Sequence, residues 1–511
     1  MPTSWESGNS RRSRLFAAVA GALAVLCLSV GQVSAAVSVV WEKDLTADIA
    51  GKSFPYNNAF EPIVATHPTN GQKLAVVYEF KPTKSTCGTY TPGLKVTSDG
   101  GATWKFATGK PWAGSGRVPN YHGTIAWGPG PKAGSARLYW ADSTVSDCSY
   151  SDHRLSIAYS DDMGATWSSL KVFAGSAQHG YPDITVDRNP SSPNYGAVYA
   201  TLNTLTDQFE TAMPVRASTD FGKTWTTVSV AALPAPGGYP FQYRNGYRLR
   251  TGPDGSVYAS FCQVDRPVWN SGAYGRLSYG IARLRLNKAL GTFTAGAPAM
   301  ARQLDLNGYA TEFLNAPGTG DHERLYVCWT HGIDVSRTTG RIYLALPDYV
   351  TNPGAGNPRG SIKLGRSDDN GQTWSWQTLP SVAADGSGRQ QSAHKPTLVV
   401  SGAKVFVGFH TLTDVPLSTT GIDATVRINN AFVVSSDGGT SWGTPRLVSS
   451  SAGWGPGWLD LSKNGAGLRD RAELTAGGDV LWAYGDGRRA RAKPDSRWGR
   501  CQVYAALIDL G

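Results

Sequence analysis

An all-β fold, a β-propeller of four-stranded blades arranged in a ring, is predicted by three observations on this 511-residue sequence. A short turn motif occurs five times. A strand-like segment occurs seven times, at intervals that indicate a radially repeated unit of roughly 60 to 75 residues. The composition, with 60 glycines, 17 tryptophans and 17% charged residues, is typical of many short strands joined by tight turns.

The turn motif follows one pattern, with an aspartate two residues before a glycine and five before a tryptophan. Aspartate accepts hydrogen bonds from turn amides, glycine adopts a positive φ, and tryptophan packs back between strands. One or two acidic residues per copy are too few for a calcium loop. We call these five segments the box turns; they read SDGGATW at 98–104, SDDMGATW at 160–167, STDFGKTW at 218–225, SDDNGQTW at 367–374 and SSDGGTSW at 435–442.

The number of copies of the repeated strand predicts the number of blades. It alternates with period two and is rich in aromatic and β-branched residues, as a buried blade strand should be. Between the third and fourth box turns lies a long interval in which LNKALGTF, residues 286–293, resembles a box turn without its aspartate. We predict seven blades; six is the alternative, if residues 222–364 form one blade with a large insertion. The seven strands begin at Leu74, Leu138, Val198, Val257, Ile342, Val405 and Leu481.

The last repeat lacks a fourth strand. It has strand-like segments at residues 472–476, 479–485 and 501–508, and the sequence given stops at Gly511. Residues 37–45, VSVVWEKDL, precede the first repeat and have no other partner. Pairing the two segments would close the ring and hide both edges. We therefore predict that residues 39–43 pair with residues 501–507 in blade 7.

The first 36 residues are organised like a signal peptide. Arg11, Arg12 and Arg14 precede an apolar run at 15–30, and VSA at 33–35 is a typical small-residue cleavage site. We predict a signal peptide at 1–36, a single propeller domain at 37–511 and a secreted protein. The apolar run is too short for an ordinary membrane span and no second run follows, so no membrane span is predicted.

The mature chain would be basic. Removing three arginines and one glutamate with residues 1–36 lowers the formal net charge from +10 to +8. An exported basic protein favours acidic glycans over nucleic acid, through attraction that salt weakens; simple solubility explains the charge equally well. Residues 488–500, with six cations and Asp495, would attract a polyanion or form a solvated loop. We predict a monomer without cofactor or metal.

Five cysteines remain after cleavage, and an oxidising destination favours disulfides. Cys87 and Cys148 occupy equivalent loops of adjacent repeats, which predicts that they pair. Cys262 and Cys328 are a second candidate pair, and Cys501 would then remain unpaired.

The box turns resemble the Asp-boxes (BNR repeats) of sialidase-like β-propellers, and the resemblance covers five copies. It implies that the boxes are scaffold and that glycan chemistry takes place at the opposite pole. There we expect a water-filled funnel, built from the starts of first strands and the loops after second strands. The candidate catalytic residues are Glu61, His122, His179, Tyr181 and His331; the candidate substrate-binding residues are Glu79, Asp142, Arg248, Arg250, His394, Lys395 and Arg471.

One departure from the family bears on the substrate. Sialidases bind the substrate carboxylate with three arginines, the first in an F/Y-R-I-P strand, and this chain has Phe60, Glu61, Pro62 and Ile63 at that place. Glu61 would repel a carboxylate, and Lys81 after the next strand lacks the planar fork of arginine. The sequence therefore argues against cleavage of sialic acid itself.

Three functions fit the predicted pole. A glycoside hydrolase, which we favour, needs an acid and a nucleophile, for which Glu61, Glu79, Asp142 and Tyr484 are available. A uronate lyase needs a histidine or tyrosine to move the proton α to the carboxylate and a cation to neutralise that carboxylate. A propeller that only binds a glycan or a protein is the third. The lyase would use His122, His179, His331, Tyr181, Arg248 and Arg250.

Overall fold

The computed structural model of this chain is a seven-bladed β-propeller. All regular secondary structure in the described residues is β-strand, and none of them forms a helix that could cross a membrane. The described residues are 36–48, 59–80, 91–119, 123–146, 152–173, 181–202, 212–234, 241–266, 276–305, 313–315, 324–326, 330–350, 359–380, 390–415, 427–448, 471–486 and 502–511.

Strands are numbered along the chain, and each blade is an antiparallel sheet whose strands follow one another outward from the axis. The first strand, β1 (Ser38–Asp44), belongs to the last blade. Blade 1 contains β2 (Ala59–Thr66), β3 (Leu74–Phe80), β4 (Thr91–Thr97) and β5 (Lys105–Phe106). Blade 2 contains β6 (Val118–Pro119), β7 (Thr124–Pro129), β8 (Ala136–Val145), β9 (Arg154–Ser160) and β10 (Lys171–Val172). Blade 3 contains β11 (Pro182–Val186), β12 (Val198–Leu202), β13 (Ala212–Ser218) and β14 (Thr226–Ala231).

Blade 4 contains β15 (Phe241–Thr251), β16 (Ser256–Arg266), β17 (Arg276–Asn287) and β18 (Thr292–Ala295), and β19 (Ala299–Asp305) also pairs with β17. A hairpin of β20 (Phe313–Asn315) and β21 (Arg324–Tyr326) follows, and β21 contacts β26. Blade 5 contains β22 (Gly332–Val335), β23 (Ile342–Val350), β24 (Arg359–Ser367) and β25 (Ser375–Thr378). Blade 6 contains β26 (Gln390–Ser401), β27 (Lys404–Val415), β28 (Arg427–Ser435) and β29 (Arg446–Leu447). Blade 7 contains β30 (Arg471–Leu474), β31 (Val480–Asp486), β32 (Gln502–Asp509) and β1.

The ring closes through the first strand, as the sequence predicts. Strand β1 lies outermost in blade 7, with Val39 opposite Ile508 and Lys43 opposite Ala505. The inner strands contact one another in the order β2, β7, β11, β15, β22, β26, β30 and again β2. Blades 4 and 5 are separate sheets, so the prediction of seven blades is confirmed and the six-bladed alternative is wrong.

The hydrophobic core is divided among the seven interfaces between adjacent blades, with one cluster in each. Successive residues of a strand face opposite sides of its sheet. On β3, Val77 therefore packs toward Trp140 of blade 2, whereas Tyr78 packs toward Leu481 of blade 7. Because the central strands are buried on both sides, aromatic and β-branched residues recur in them, which is the pattern that predicts the blade number.

The box turns join the third and fourth strands of their blades and make the contacts expected of scaffold. After β9, Gly164 N donates to Ser160 Oγ at 2.7 Å and Thr166 N donates to Asp162 Oδ1 at 2.8 Å. Gly164 has a φ of 85°, and a Cβ on it would lie 2.9 Å from Leu94 of blade 1. A box turn thus rests against the preceding blade. Met163 also has a positive φ, of 60°, which the motif pattern does not include.

One cysteine lies in the described residues. Cys262 on β16 is buried and disulfide-bonded. Cys87, Cys148, Cys328 and Cys501 lie outside those residues, so the two predicted pairings stay predictions.

Candidate functional site

Two arginines, from blades 4 and 7, approach a buried carboxylate where the inner strands begin, and a third arginine lines the same cavity, at the pole opposite the box turns. Arg248 and Arg250 are two apart on β15 and therefore share one face of that strand. Asp183 of β11 has a side chain only 1% exposed. Its Oδ1 accepts a hydrogen bond from Arg471 Nη1 at 3.1 Å, and its Oδ2 accepts one from Leu249 N at 2.7 Å. Blades 3, 4 and 7 are thereby joined at the axis.

Cationic side chains dominate the described lining of this cavity. Arg250 Nη1 lies 3.8 Å from Asp183 Oδ2. Burial and then the neighbouring Arg471 lower the pKa of Arg250 to about 10, although Asp183, Asp334 and Glu473 oppose the shift. Three guanidinium groups line this cavity with one carboxylate among the described residues. An anionic group is therefore the ligand that its potential favours.

A histidine lines the same cavity. His331 directly precedes β22 and is 3% exposed. Its Nε2 lies 2.8 Å from Ser260 Oγ of blade 4, and its ring packs edge-on against Tyr279 at 5.6 Å between centroids. The ring is thus held in one orientation at the interface of blades 4 and 5, where it can exchange a proton with a group bound beside the arginines.

Two buried carboxylates form a second constellation, between blades 1 and 2. Val77 and Trp140 face the interface between blades 1 and 2. Glu79 and Asp142 come two residues later on the same strands, so their buried side chains lie on the same faces. Glu79 Oε1 accepts a hydrogen bond from Gly123 N at 3.2 Å, and Asp142 Oδ2 accepts one from Trp140 Nε1 at 3.1 Å. A Cβ on Gly123 would lie 3.0 Å from Asp142 Oδ2. Both carboxyl groups therefore border Gly123.

Glu61 and Lys395 occupy equivalent bulges in blades 1 and 6. Each precedes a proline, has a φ of 53° and is buried, with exposures of 2% and 3%. The strand register shifts at both places, between Phe60 and Ile63 on β2 and between His394 and Thr397 on β26. A left-handed backbone costs a residue with a Cβ about 1 to 2 kcal/mol, and such strain is concentrated at functional sites.

The remaining candidate residues belong to neither the arginine-lined cavity nor the pair of carboxyl groups at Gly123. His394 is fully buried and lies opposite His410 on the next strand, with ring centroids 5.6 Å apart. Tyr181 is buried just before β11. His122 and His179 lie outside the described residues.

The burial of these side chains differs from the expected water-filled funnel. Glu79 and Asp142 point into the interface between blades 1 and 2, because strand alternation and hydrogen bonds direct them there. Arg248, Arg250, Arg471 and His331 instead line the cavity at the axis. The described residues contain no group of three or more metal-ligating side chains.

Sequence reasoning missed two polar residues deeper in the central channel, Asp334 and Arg188. Asp334 accepts hydrogen bonds from Val335 N at 2.8 Å and Val400 N at 2.7 Å. Arg188 donates to Glu473 Oε1 across the channel at 2.5 Å. A signal was available for Asp334, which interrupts an inner strand, GIDV, that is otherwise apolar or small.

Known proteins resemble this chain only distantly. No protein-family model matches the sequence, and no curated protein matches it. Among solved structures, an α-L-arabinofuranosidase of Fusarium graminearum has 11% identity and a TM-score of 0.41, over 70% of this chain and 90% of that chain. An α-L-arabinanase of Penicillium chrysogenum has 13% identity and a TM-score of 0.40, over 70% and 90%. A leech intramolecular trans-sialidase has 14% identity and a TM-score of 0.36, over 74% and 67%. Similarities of this size identify no functional residue in this chain.

Proposed function

We propose that the protein is a secreted glycoside hydrolase that acts on acidic glycans at the pole opposite the box turns. The observation that carries the proposal is the pair of buried carboxyl groups, Glu79 and Asp142, that border Gly123 from adjacent blades. Glycoside hydrolysis uses two carboxyl groups, one as the acid and the other as a nucleophile or base.

The cavity at the axis supports an acidic substrate. Among the described residues, three guanidinium groups, those of Arg248, Arg250 and Arg471, line this cavity. Blade 1 contributes to both places, since Ile63 lines the cavity while Glu79 lies on the next strand of the same blade. A glycan bound across blade 1 would place a carboxylate or sulfate against the arginines and a glycosidic bond toward Glu79 and Asp142.

The test is the cleavage of a panel of uronic, sialylated and neutral glycans, assayed by release of reducing sugar. Glu79→Gln and Asp142→Asn keep the size of each side chain and remove its ability to ionise. We expect each change to lower kcat by about a hundredfold or more. Asp368→Asn is the matched control, because Asp368 lies in the box turn of blade 5, at the opposite pole, and pairs with Arg341. Parent rates in both carboxyl variants would contradict the assignment.

A uronate lyase is the second candidate, favoured by His331 in the same cavity as Arg248 and Arg250. The arginines would neutralise the uronate carboxylate while the imidazole takes the proton α to it. An unsaturated uronate product, detected by its absorbance and lost in His331→Ala, would replace the hydrolase proposal with this one. If the protein retains a glycan but releases no product, the result would instead favour a propeller that binds glycans without cleaving them.

A further inference from the structure

The central channel holds a second cluster of charge, at the end near the box turns. The space there measures about 670 Å³, part of it open to solvent. Four guanidinium groups line it against two carboxylates among the described residues. Two further carboxylates lie near these arginines: Asp183 bonds Arg471, and Asp187 interacts electrostatically with Arg337. The lining charged residues are Arg188, Arg250, Arg337, Arg471, Asp334 and Glu473.

The two carboxylates are already engaged by the scaffold. Glu473 Oε2 accepts a hydrogen bond from Thr66 N at 2.9 Å, and its Oε1 accepts one from Arg188. Both oxygens of Asp334 accept backbone N–H groups.

Two of the arginines have hydrogen-bonding capacity that the described residues do not use. The Arg188 side chain is 7% exposed, and its buried Nε has no acceptor there. A buried donor without an acceptor costs about 1 to 3 kcal/mol. Arg337 is exposed at the mouth of the same space and makes no hydrogen bond or ion pair within the described part of the chain.

We propose that this end of the channel binds a small inorganic anion of the size of chloride, held by Arg188, Arg250 and Arg337. These three residues come from blades 3, 4 and 5, so one anion would join three consecutive blades. It would accept the Arg188 Nε–H, which has no acceptor among the described residues, and would lie among guanidinium groups. The apolar side chains that also line the space, including Val186 and Leu398, favour a compact ion over a large hydrated one.

Thermal unfolding in bromide tests the proposal. The protein is dialysed into sodium gluconate, and sodium bromide is exchanged for it at constant ionic strength. We expect a Tm that rises along a single-site saturation curve, with a half-saturating concentration about tenfold higher in Arg337→Gln. Arg285→Gln is the control, because Arg285 is also exposed and lines a cavity on the outer part of blade 4. A Tm that responds equally in all three proteins, or to ionic strength alone, would overturn the proposal.

Crystals of the parent protein grown in saturating sodium bromide provide a test that needs no variant. Bromide scatters anomalously, and we expect a peak within contact distance of Arg188 and Arg337. Absence of that peak at saturating bromide would refute the site.

Discussion

At the scale of single residues, burial changes the acid–base properties of side chains near the central channel. His67 follows β2 at the pole of the box turns and packs edge-on against Trp127, with ring centroids 5.0 Å apart. Thr69 N donates to its Nδ1 at 3.3 Å, which only the neutral ring can accept. Burial, and then Lys73 and Arg188, lower the pKa of His67 from 6.5 to about 4.

This lowered pKa predicts a pH-dependent stability. Between pH 6.5 and about 4 the unfolded chain binds a proton at His67 while the folded chain does not, so the free energy of unfolding falls as the pH falls through that window. We expect His67→Gln to remove about 1 to 3 kcal/mol of that fall. Urea unfolding at pH 7 and pH 4.5 measures it in both proteins. An unchanged difference between the two pH values in the variant would contradict the prediction.

At the scale of elements, the closing strand depends on one aromatic side chain. Trp41 of β1 packs edge-on against Trp104 at 6.4 Å, and a Cβ on Gly101 would lie 2.3 Å from its ring. Lys43 Nζ donates to Ala102 O in the same box turn. The box turn of blade 1 therefore packs against blade 7, just as the box turn of blade 2 packs against blade 1.

Truncation of Trp41 tests this role. Because Trp41 is half-buried, we expect Trp41→Ala to lower the free energy of unfolding by about 2 kcal/mol, less than for a fully buried aromatic residue. Val40→Ala on the same strand is the control, since Val40 is 55% exposed, and it should change stability by less than about 0.5 kcal/mol. Urea unfolding measures both. Equal effects of the two changes would argue against Trp41 as the anchor of the closing strand.

At the scale of the whole molecule, the box turns place five carboxylates with lowered pKa values at one pole. The hydroxyl groups of Thr103, Thr373 and Ser441, and then backbone amides, hold the pKa of Asp99, Asp369 and Asp437 below the usual range, for Asp369 at about 2. The pKa values of Asp162 and Asp220 are also lowered, although burial opposes the hydrogen bonds there.

Acid should therefore destabilise the ring as a unit. A carboxylate with a lowered folded pKa contributes its stability above the unfolded pKa of 3.8 and loses it as the pH falls through the folded value. We expect the urea midpoint to fall steeply between about pH 4 and pH 2, and less steeply in Asp369→Asn. A midpoint that is constant over this range would contradict the scaffold role of these aspartates.

Much of the architecture follows from the sequence alone. The pattern around Asp162 and Gly164 specifies a turn through local hydrogen bonds and backbone conformation, and alternation in segments such as the one at Leu74 specifies strands buried on both faces. Both are short-range rules, so they predict blade number, turn position and the unpaired segment at 37–45. Export, cleavage at residue 36 and the disulfide pairings stay predictions.

Tertiary structure alone decided which polar groups meet. Asp183 bonds Arg471, 288 residues away, because ring closure brings blades 3 and 7 to one axis. The bulges at Glu61 and Lys395 shift the strand register, so counting along the chain locates a pole but not the direction of a side chain. Arg250 faces the axis, whereas other residues face an interface between blades. This direction depends on the position and register of strands around the whole ring, which no local sequence pattern specifies.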